Sequence, residues 1–504
     1  MHLRQGKYHC CRWHVAVTEA GTIRSILHRV FEVFAIYQKG MVSVCFQVGS
    51  TGNRTTSECQ HDKHCPHEVK TRNGVDPNHL TISSVMLSLW NALGVPPKKI
   101  PVNATILVSF IFPPLVCYLA LAALAVIPQT RATRIALWPA FALLALRGVA
   151  SVDMSRDNPD LRVINGFFAV STFNANLPIL RAETFPSQCT MFILTIRALE
   201  WTLVKEPLVR YLRPRHSSPS IIFDALDLAV NFRGYGWNWS RGFSFPQDTR
   251  PKSRLAFTLH TFLSAIANFF VCGVFQQMIL SFCGPDRNTI GLGFLDETIP
   301  FFARYSRAII VGFLQYISGY CSLQAPYDLC ATIGVLFFGQ DPAQWPPAFD
   351  APWRVTSVGE FWGCRWHQWF RHIFVFLGGY PFQSLFGRTG IVFGGFLVSG
   401  FMHSLLVIGS GGTEHAWLVF LAFAMMIPVV LVERAFYQLT GKRVTGATGR
   451  IWTIVWLSTA GAMVFDAVAK TGGMSDSTFI DGVRPVKMLV ERLVKDLNAY
   501  LNAI

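Results

Sequence analysis

Charge is what this sequence has least of. Of its 504 residues only 14% are Asp, Glu, Lys or Arg, against about 25% in an ordinary soluble domain. With 51% of the chain hydrophobic, a water-soluble fold would leave wide apolar areas uncovered, and that class is excluded. Other absences narrow the field further. The glycine-rich GSGGTE at 409–414 has no Lys-Ser/Thr after it, so it is no phosphate-cradling loop and reads as a connection between apolar spans. Twelve cysteines show no repeating spacing, and Cys117, Cys272, Cys321 and Cys330 lie inside apolar runs. There a thiol behaves as a small apolar group, and no disulfide framework is expected. No repeat of fixed period is evident. The opening MHLRQGKYHCCRWHVAVTEAG lacks a continuous apolar core and hence a secretory signal of the usual kind, so insertion is expected to rely on the first membrane span.

The balance of charge is positive, 44 Lys and Arg against 29 Asp and Glu. These basic residues are scattered through loops beside apolar runs rather than gathered on one element, which argues against nucleic acid as a partner. In a membrane protein such residues set orientation and meet anionic lipid headgroups or an anionic cosubstrate.

Apolar runs of the required ~20 residues are plentiful. NATILVSFIFPPLVCYLALAALAVI from Asn103 is a clear span, with Pro113-Pro114 expected to kink it. RIALWPAFALLALRGVA follows. RVINGFFAVSTFNANLPIL and CTMFILTIRALEWTLV are weaker, and read as buried or re-entrant. A long polar excursion, 205–254, contains NFRGYGWNW. Strong spans resume with LAFTLHTFLSAIANFFVCGVFQQMIL, FARYSRAIIVGFLQYISGY, LCATIGVLFFG, TGIVFGGFLVSGFMHSLLVIG, HAWLVFLAFAMMIPVVLV and IWTIVWLSTAGAMVFDAV. The expected fold is all-α: a polytopic integral membrane protein of roughly eight to ten transmembrane or membrane-embedded helices. Residues 1–84 read as a polar, flexible extension, 85–475 as the membrane domain, and 476–504 as a helical, amphipathic tail. Within the extension, Ile23, Ile26, Leu27, Val30, Phe31 and Val33 make an apolar stripe that predicts a helix near 22–37. CQHDKHCPH places Cys59, His61, His64, Cys65 and His67 close together. Zinc can bind such groups, but the usual frameworks separate two ligand pairs by a dozen or more residues. An extension without metal is the expectation.

GEFWGCRWHQWFRHIF, Gly359 to Phe374, sets charge and imidazole among tryptophans. Wrapped as a helix at about 100° per residue, it puts Trp362, Trp366, Trp369, Phe370, Ile373 and Leu377 on one side. Glu360, Cys364, His367 and Arg371 fall opposite. Such an element anchors at the interface or lines a polar cavity, and the pattern alone leaves both open. Between Arg388 and Glu414 the one titratable side chain is His403. Gly395, Ser399 and His403 share a helical face, where a neighbouring helix could approach closely. An ionisable group at membrane depth is a functional candidate by default, with a hydrogen-bonded structural histidine as the alternative. A neutral imidazole in an apolar tunnel makes a good general base. It would accept the proton of an alcohol attacking a thioester, while a second polar group steadies the oxyanion or holds substrate.

FWGCRWHQWFRH followed by SGFMHS resembles the membrane-bound O-acyltransferase superfamily, in its wax-synthase-like branch. NFRGYGWNW and RALEWTLVKEPL are similar to fungal members of that branch, which include terpenoid and meroterpenoid acetyltransferases. The resemblance covers roughly 85–470. It implies an acyl-CoA donor, a lipophilic alcohol acceptor, direct transfer within the membrane, and no bound cofactor or metal. By position His403 is similar to the invariant catalytic histidine and His367 to the polar residue of the second motif. Cys364 stands where the family often has Arg, which bears on how CoA is held. Ser404 stands where plant wax synthases often have Glu, which argues against that type.

Arg233, Trp237, Asn238, Arg365, Gln368 and Arg371 are the candidate substrate- and CoA-binding residues, since planar guanidinium groups suit phosphates. An interfacial turn is the competing reading of NFRGYGWNW, with Trp237 and Trp239 suited to the headgroup layer. Cys364, beside Arg365 and near His367 and Gln368, is a lesser candidate acyl carrier. The expected activity is transfer of an acyl group, acetyl above all, to a hydroxyl of a lipophilic metabolite in the endoplasmic reticulum membrane. A long-chain wax or sterol-ester synthase is the alternative within the class. A transporter using His403 as a proton relay is the alternative outside it.

Overall fold

The computed structural model describes residues 91, 93–96, 98–153, 188–213, 218–241, 243, 245–281, 300–409 and 412–470. The expected helix near 22–37, the Cys/His cluster at 59–67, the weak span at 162–180 and the tail at 476–504 lie outside them. The described residues from Ile100 to Lys470 belong to one unit, and seven helical stretches among them are long and apolar enough to cross a bilayer.

Helix α1 (Ala104–Val126) starts on Asn103, whose side chain accepts the Ile106 amide at 2.8 Å. The Pro113-Pro114 pair falls at the start of the segment Phe112–Val126, directly after a π-helical turn, Leu107–Ile111. Proline lacks an amide hydrogen and clashes with the carbonyl four residues back, and the wider turn relieves both. Helix α2 (Arg131–Ser151) returns, and a short parallel pairing of β1 (Ile100–Pro101) with β2 (Val152–Asp153) closes the pair. Helix α3 (Gln188–Leu203) is core: Ile193, Ile196, Ala198 and Trp201 are shut off from solvent, as its weak apolar pattern suggested. The excursion at 205–254 is not wholly polar. It contains α4 (Ile221–Val230), which buries Ala225, Leu228 and Ala229 and turns Ile222, Phe223 and Val230 outward.

Helix α5 (Arg254–Ser281) packs along α6, a single helix running Phe301–Leu336. Hydropathy alone divides α6 into two spans around its polar middle. That middle does not end the helix because α5 satisfies it. Asp328 accepts from Ser264 Oγ at 2.7 Å, and Thr332 and Thr261 share a hydroxyl hydrogen bond of 2.8 Å.

The longest helical stretch, Arg371–Gly409, is a hairpin. Gly387 takes a left-handed φ of 61° with ψ −146°, open to glycine at little cost, and the chain reverses there into α7 (371–386) and α8 (388–409). The two arms touch through backbone. A Cβ on Gly378 would meet Gly394 O, and one on Gly390 would meet Phe382 O, each closer than 3.0 Å. Each step up one arm is therefore a step down the other, and carrying that register on sets His403 level with Trp369. Thirty-six positions of sequence become neighbours in space. Helix α9 (Thr413–Thr440), with a break in its ladder at Met425, and α10 (Gly446–Ala469) complete the domain.

Three arginines serve the ends of these helices. Arg134, 1% exposed, donates to Trp201 O and Val204 O at the end of α3. Arg197, fully buried, donates to Leu228 O at 2.9 Å and Asn231 O at 2.7 Å where α4 ends. Arg254 meets Val335 O near the end of α6 at 2.9 Å. Helix C-termini leave carbonyls unpaired and carry partial negative charge, and a guanidinium answers both.

Candidate active site

The stretch singled out in the sequence is not one amphipathic helix. It opens as a helical turn, Val358–Glu360, whose amides are held by Glu433 of α9: Val358 N and Gly359 N donate to its carboxylate at 2.7 and 2.8 Å. A π turn, Phe361–Arg365, follows and stops at Trp366, which is extended at ψ 158°. The carbonyls freed there are answered locally. Gln368 Nε2 donates to Trp362 O at 3.2 Å and Trp366 O at 2.7 Å, and Arg371 donates to Gly363 O. These closures replace the next helical turn, and α7 begins only at Arg371. His367 therefore sits in a loop, not on a helical face.

Its ring lies among Trp366, Trp369, Phe349 and Phe370, with centroids 4.9 Å from Trp369 and 5.9 Å from Phe370. His367 Nδ1 is buried without a hydrogen-bond partner, which leaves Nε2 as the nitrogen meeting the cavity. Burial, reinforced by neighbouring His403 and Arg233, pushes its pKa down to about 3, so the ring is neutral at physiological pH. A buried donor without a partner is rarer than a buried acceptor without one. The proton is therefore best assigned to Nε2, making His367 a neutral N–H donor toward the cavity.

His403 carries the opposite tautomer. Its Nδ1 lies 2.8 Å from Ser399 O, one helical turn back, and a carbonyl can only accept. The proton is on Nδ1, and Nε2 keeps its lone pair. The ring stacks on Phe423 of α9 at 4.1 Å between centroids, which fixes its plane.

Both histidines line one cavity of about 3010 Å³. It runs along α8 past Arg388, Val392, Gly395, Ser399 and His403, and along α6 past Tyr316, Gly319, Leu323 and Tyr327. The Gly395 face, expected to receive a neighbouring helix, lines this space instead: nothing lies within 4 Å of a Cβ built there. The close helix approach is one residue away, at Gly394.

The other sequence candidates divide. Arg233, Gln368 and Arg371 line the cavity, while Arg365, Trp237 and Asn238 do not. Arg233 donates to Pro346 O at 3.1 Å and Pro347 O at 2.8 Å. Arg365 binds Glu360 at 2.7 Å and Asp350 O at 3.0 Å. Trp237, expected at the headgroup layer, is fully buried and donates to Asp227 at 2.7 Å. Asn238 ties its loop to Val209 N at 3.0 Å and Pro207 O at 3.3 Å. Gly234 and Gly236 take φ of 65° and 83°, the tight backbone read from NFRGYGWNW. Cys364 is held in a disulfide and offers no thiol for acyl carriage, while Cys117, Cys272, Cys321 and Cys330 are free thiols, as their apolar runs suggest.

The latch of α7 to α3 was not foreseen: His372 pairs with Glu200 and packs on Trp239 and Phe243. Nor was the far end of the cavity, where Arg388, Arg434 and Arg443 gather. A sequence signal existed for it. GRTG at 387–390, inside an apolar run, combines two glycines with a charge, which is turn chemistry.

The chain is thus a polytopic α-helical membrane protein with two histidines of complementary tautomer on one internal cavity. Residues 345–425 match the model of the membrane bound O-acyl transferase family. Over 264 residues, 50% of this chain, it is 24% identical to acetyltransferase sirH of Emericella nidulans. It is 29% identical over 155 residues, 29% of the chain, to O-Mevalon transferase yanI of Aspergillus niger. Over 149 residues, 23% of the chain, it is 32% identical to acetyltransferase spyB of Aspergillus fumigatus. The matched segments span 60%, 34% and 25% of those relatives. No solved structure matches the chain.

Proposed function

We propose that this protein is a membrane-bound O-acyltransferase of the endoplasmic reticulum that moves an acyl group, acetyl from acetyl-CoA, to a hydroxyl of a lipophilic metabolite such as a terpenoid or meroterpenoid. The observation that carries the reading is the His403 tautomer. With Nδ1–H spent on Ser399 O, Nε2 is free to act as base on the cavity side. It takes the proton of the acceptor hydroxyl as the oxygen attacks the thioester carbonyl carbon. The oxyanion of the tetrahedral intermediate is received by the Nε2–H of His367. The C–S bond then breaks, and the departing thiolate takes the proton from His403 Nε2. One proton enters and one leaves, no covalent enzyme intermediate is needed, and the engagement of Cys364 in a disulfide is no obstacle. Gln368 and Arg371 hold the loop that carries His367 and so position it.

Relatives named for acetyl and for mevalonyl transfer leave the donor to be tested, and a cavity of about 3010 Å³ also suits a long-chain donor. The test is thermal stability of the purified protein with CoA, acetyl-CoA and palmitoyl-CoA. A ligand at 100 times its Kd adds about 2.7 kcal/mol. A shift with acetyl-CoA, little larger with palmitoyl-CoA, is expected. A shift chiefly with palmitoyl-CoA moves the assignment to an ester synthase of long-chain donors. No shift with any of them, in folded protein, removes the acyl-CoA reading and revives the transporter.

A further inference from the structure

The turn NFRGYGWNW at 231–239 is the sequence motif that the chemistry above leaves without a task. It lies far from both histidines in the chain, yet two of its side chains reach the wall around His367. Phe232 meets Phe370 at 5.9 Å between ring centroids, and Phe370 meets the His367 imidazole at 5.9 Å with planes 83° apart. Arg233 reaches the same ring by another route, through a strap of chain. The strap is WPPAFD, residues 345–350, between α6 and the π turn. Pro346 and Pro347 have no amide hydrogen, so this stretch offers carbonyls whose donors must come from elsewhere. Arg250 donates to Trp345 O, and Tyr327 of α6 to Pro346 O. Arg233 Nη1 spends both its hydrogens here, on Pro346 O at 3.1 Å and Pro347 O at 2.8 Å. At its far end the strap is clamped to the π turn. Asp350 N donates to Arg365 O at 3.0 Å, and Arg365 Nη1 returns to Asp350 O at 3.0 Å. Between these ties Phe349, 7% exposed, packs on Tyr320 at 4.8 Å and Trp366 at 5.0 Å. It meets the His367 ring at 5.8 Å with planes 89° apart.

Two phenylalanine rings therefore meet the imidazole edge-on, and the motif stands behind each. The packing matters because Nδ1 of His367 has no hydrogen bond to fix the plane of the ring. A donor that must meet a developing oxyanion tolerates little error, since a misplacement of about 1 Å can cost about 100-fold in rate. The same contacts argue against a phosphate on Arg233. Its guanidinium is 8% exposed, lies over Phe245 at 5.0 Å, and would have to abandon Pro347 O to turn toward an anion. A buried carbonyl left without a donor makes that exchange unfavourable. The local backbone keeps the arrangement tight: a Cβ on Gly234, next to Arg233, would meet the Trp239 ring closer than 3.0 Å.

Resting on the reading of His367 as the oxyanion donor and going beyond it, we propose that NFRGYGWNW is the positioning element of His367. Arg233 acts through the strap and Phe349, and Phe232 through Phe370, to hold the imidazole with its Nε2 side to the cavity. Arg233 is then a positioning residue and holds no phosphate. The test needs no acceptor alcohol. Diethyl pyrocarbonate acylates an imidazole at its unprotonated nitrogen, and peptide mass spectrometry reads each histidine separately in the full chain in detergent. His367 should react slowly in the wild type, since its bare Nδ1 is buried. His403, with its Nε2 lone pair on the cavity, is the internal reference. Arg233→Gln should speed labelling of His367 about ten-fold, the worth of one hydrogen bond from a charged donor, with His403 unchanged. Arg233→Lys keeps a donor for Pro347 O and should fall between. Phe349→Leu should match Arg233→Gln with the strap's bonds intact, and carries the test if that variant fails to fold. CoA affinity, from thermal-shift titration of the same samples, should stay at the wild-type value in all three. Unchanged labelling of His367, or both histidines speeding up together, overturns the proposal, because the motif then holds the fold at large. CoA affinity lost in Arg233→Gln but kept in Phe349→Leu returns Arg233 to the phosphates and equally overturns it. A wild type that binds no CoA removes the acyltransferase reading, while the labelling still decides whether the motif holds His367.

Discussion

Gly394 and Gly395 are adjacent on α8, yet adding one methyl group to each should have opposite effects. A Cβ on Gly394 would sit closer than 3.0 Å to Gly378 O, and backbone cannot swing aside as a side chain can. The arms of the hairpin must then part by roughly an ångström, at the cost of about 1–3 kcal/mol that overpacking carries. Because the arms set His403 level with the His367 loop, the separation is transmitted to the site, where an error of that size costs about 100-fold in rate. Gly395→Ala meets nothing within 4 Å and should gain about 0.5–1 kcal/mol from reduced backbone entropy. Thermal unfolding of the two variants in detergent, with acyl transfer to an accepted alcohol measured alongside, reads both effects. Gly394→Ala should melt several degrees lower with most activity gone, and Gly395→Ala at or above the wild type with activity kept. If the two variants behave alike, the backbone contact of α7 and α8 does not govern the site, and the reasoning fails.

Other expectations follow from the same geometry. His403→Ala should abolish transfer while leaving the thermal shift by acyl-CoA intact; loss of both with a lower melting point would make His403 structural. The depressed pKa of His367 means that the unfolded chain binds a proton the folded one refuses between about pH 6.5 and about pH 3. Stability should therefore fall as pH drops through that window, by about 2 kcal/mol from pH 7 to pH 5, and His367→Gln should remove that part of the slope in thermal unfolding. Arg197→Met leaves Leu228 O without its partner, while Asn231 O keeps the Gly234 amide, and should cost about 2 kcal/mol, with Arg197→Lys recovering less than all of it because an ammonium lacks the planar fork.

The sequence shows the spans because hydropathy is a property of single segments, and it points to His403 as an imidazole inside an apolar run and to His367 as one set among tryptophans. It misleads where a property belongs to a pair. The polar middle of α6 reads as a break since a window average cannot see Ser264 and Thr261 waiting on α5. The 359–374 wheel assumes one continuous helix, and nothing in its periodicity reports that Gln368 and Arg371 will close the turn early. Arg233 and Arg365 were marked for phosphate by type alone. Their carbonyl and carboxylate partners lie on other segments, so their engagement appears only in three dimensions. His367 and His403 were singled out by composition, but their tautomers depend on Ser399 O and on an unpartnered Nδ1, neither of which has a sequence signature.

The hairpin also constrains how such a chain can change length. A residue inserted in α8 alone, between Gly390 and His403, slides His403 by about 1.5 Å and turns it by about 100° relative to the loop that holds His367. A residue lost from α7 alone draws that loop toward the tip and opens an offset of the same size in the same sense. Only matched changes in both arms leave the histidines facing, and those move the pair farther from the tip or nearer to it by the same step. The two arms act as a gauge: their equality keeps the histidines facing, and their length sets how far from the tip the pair lies.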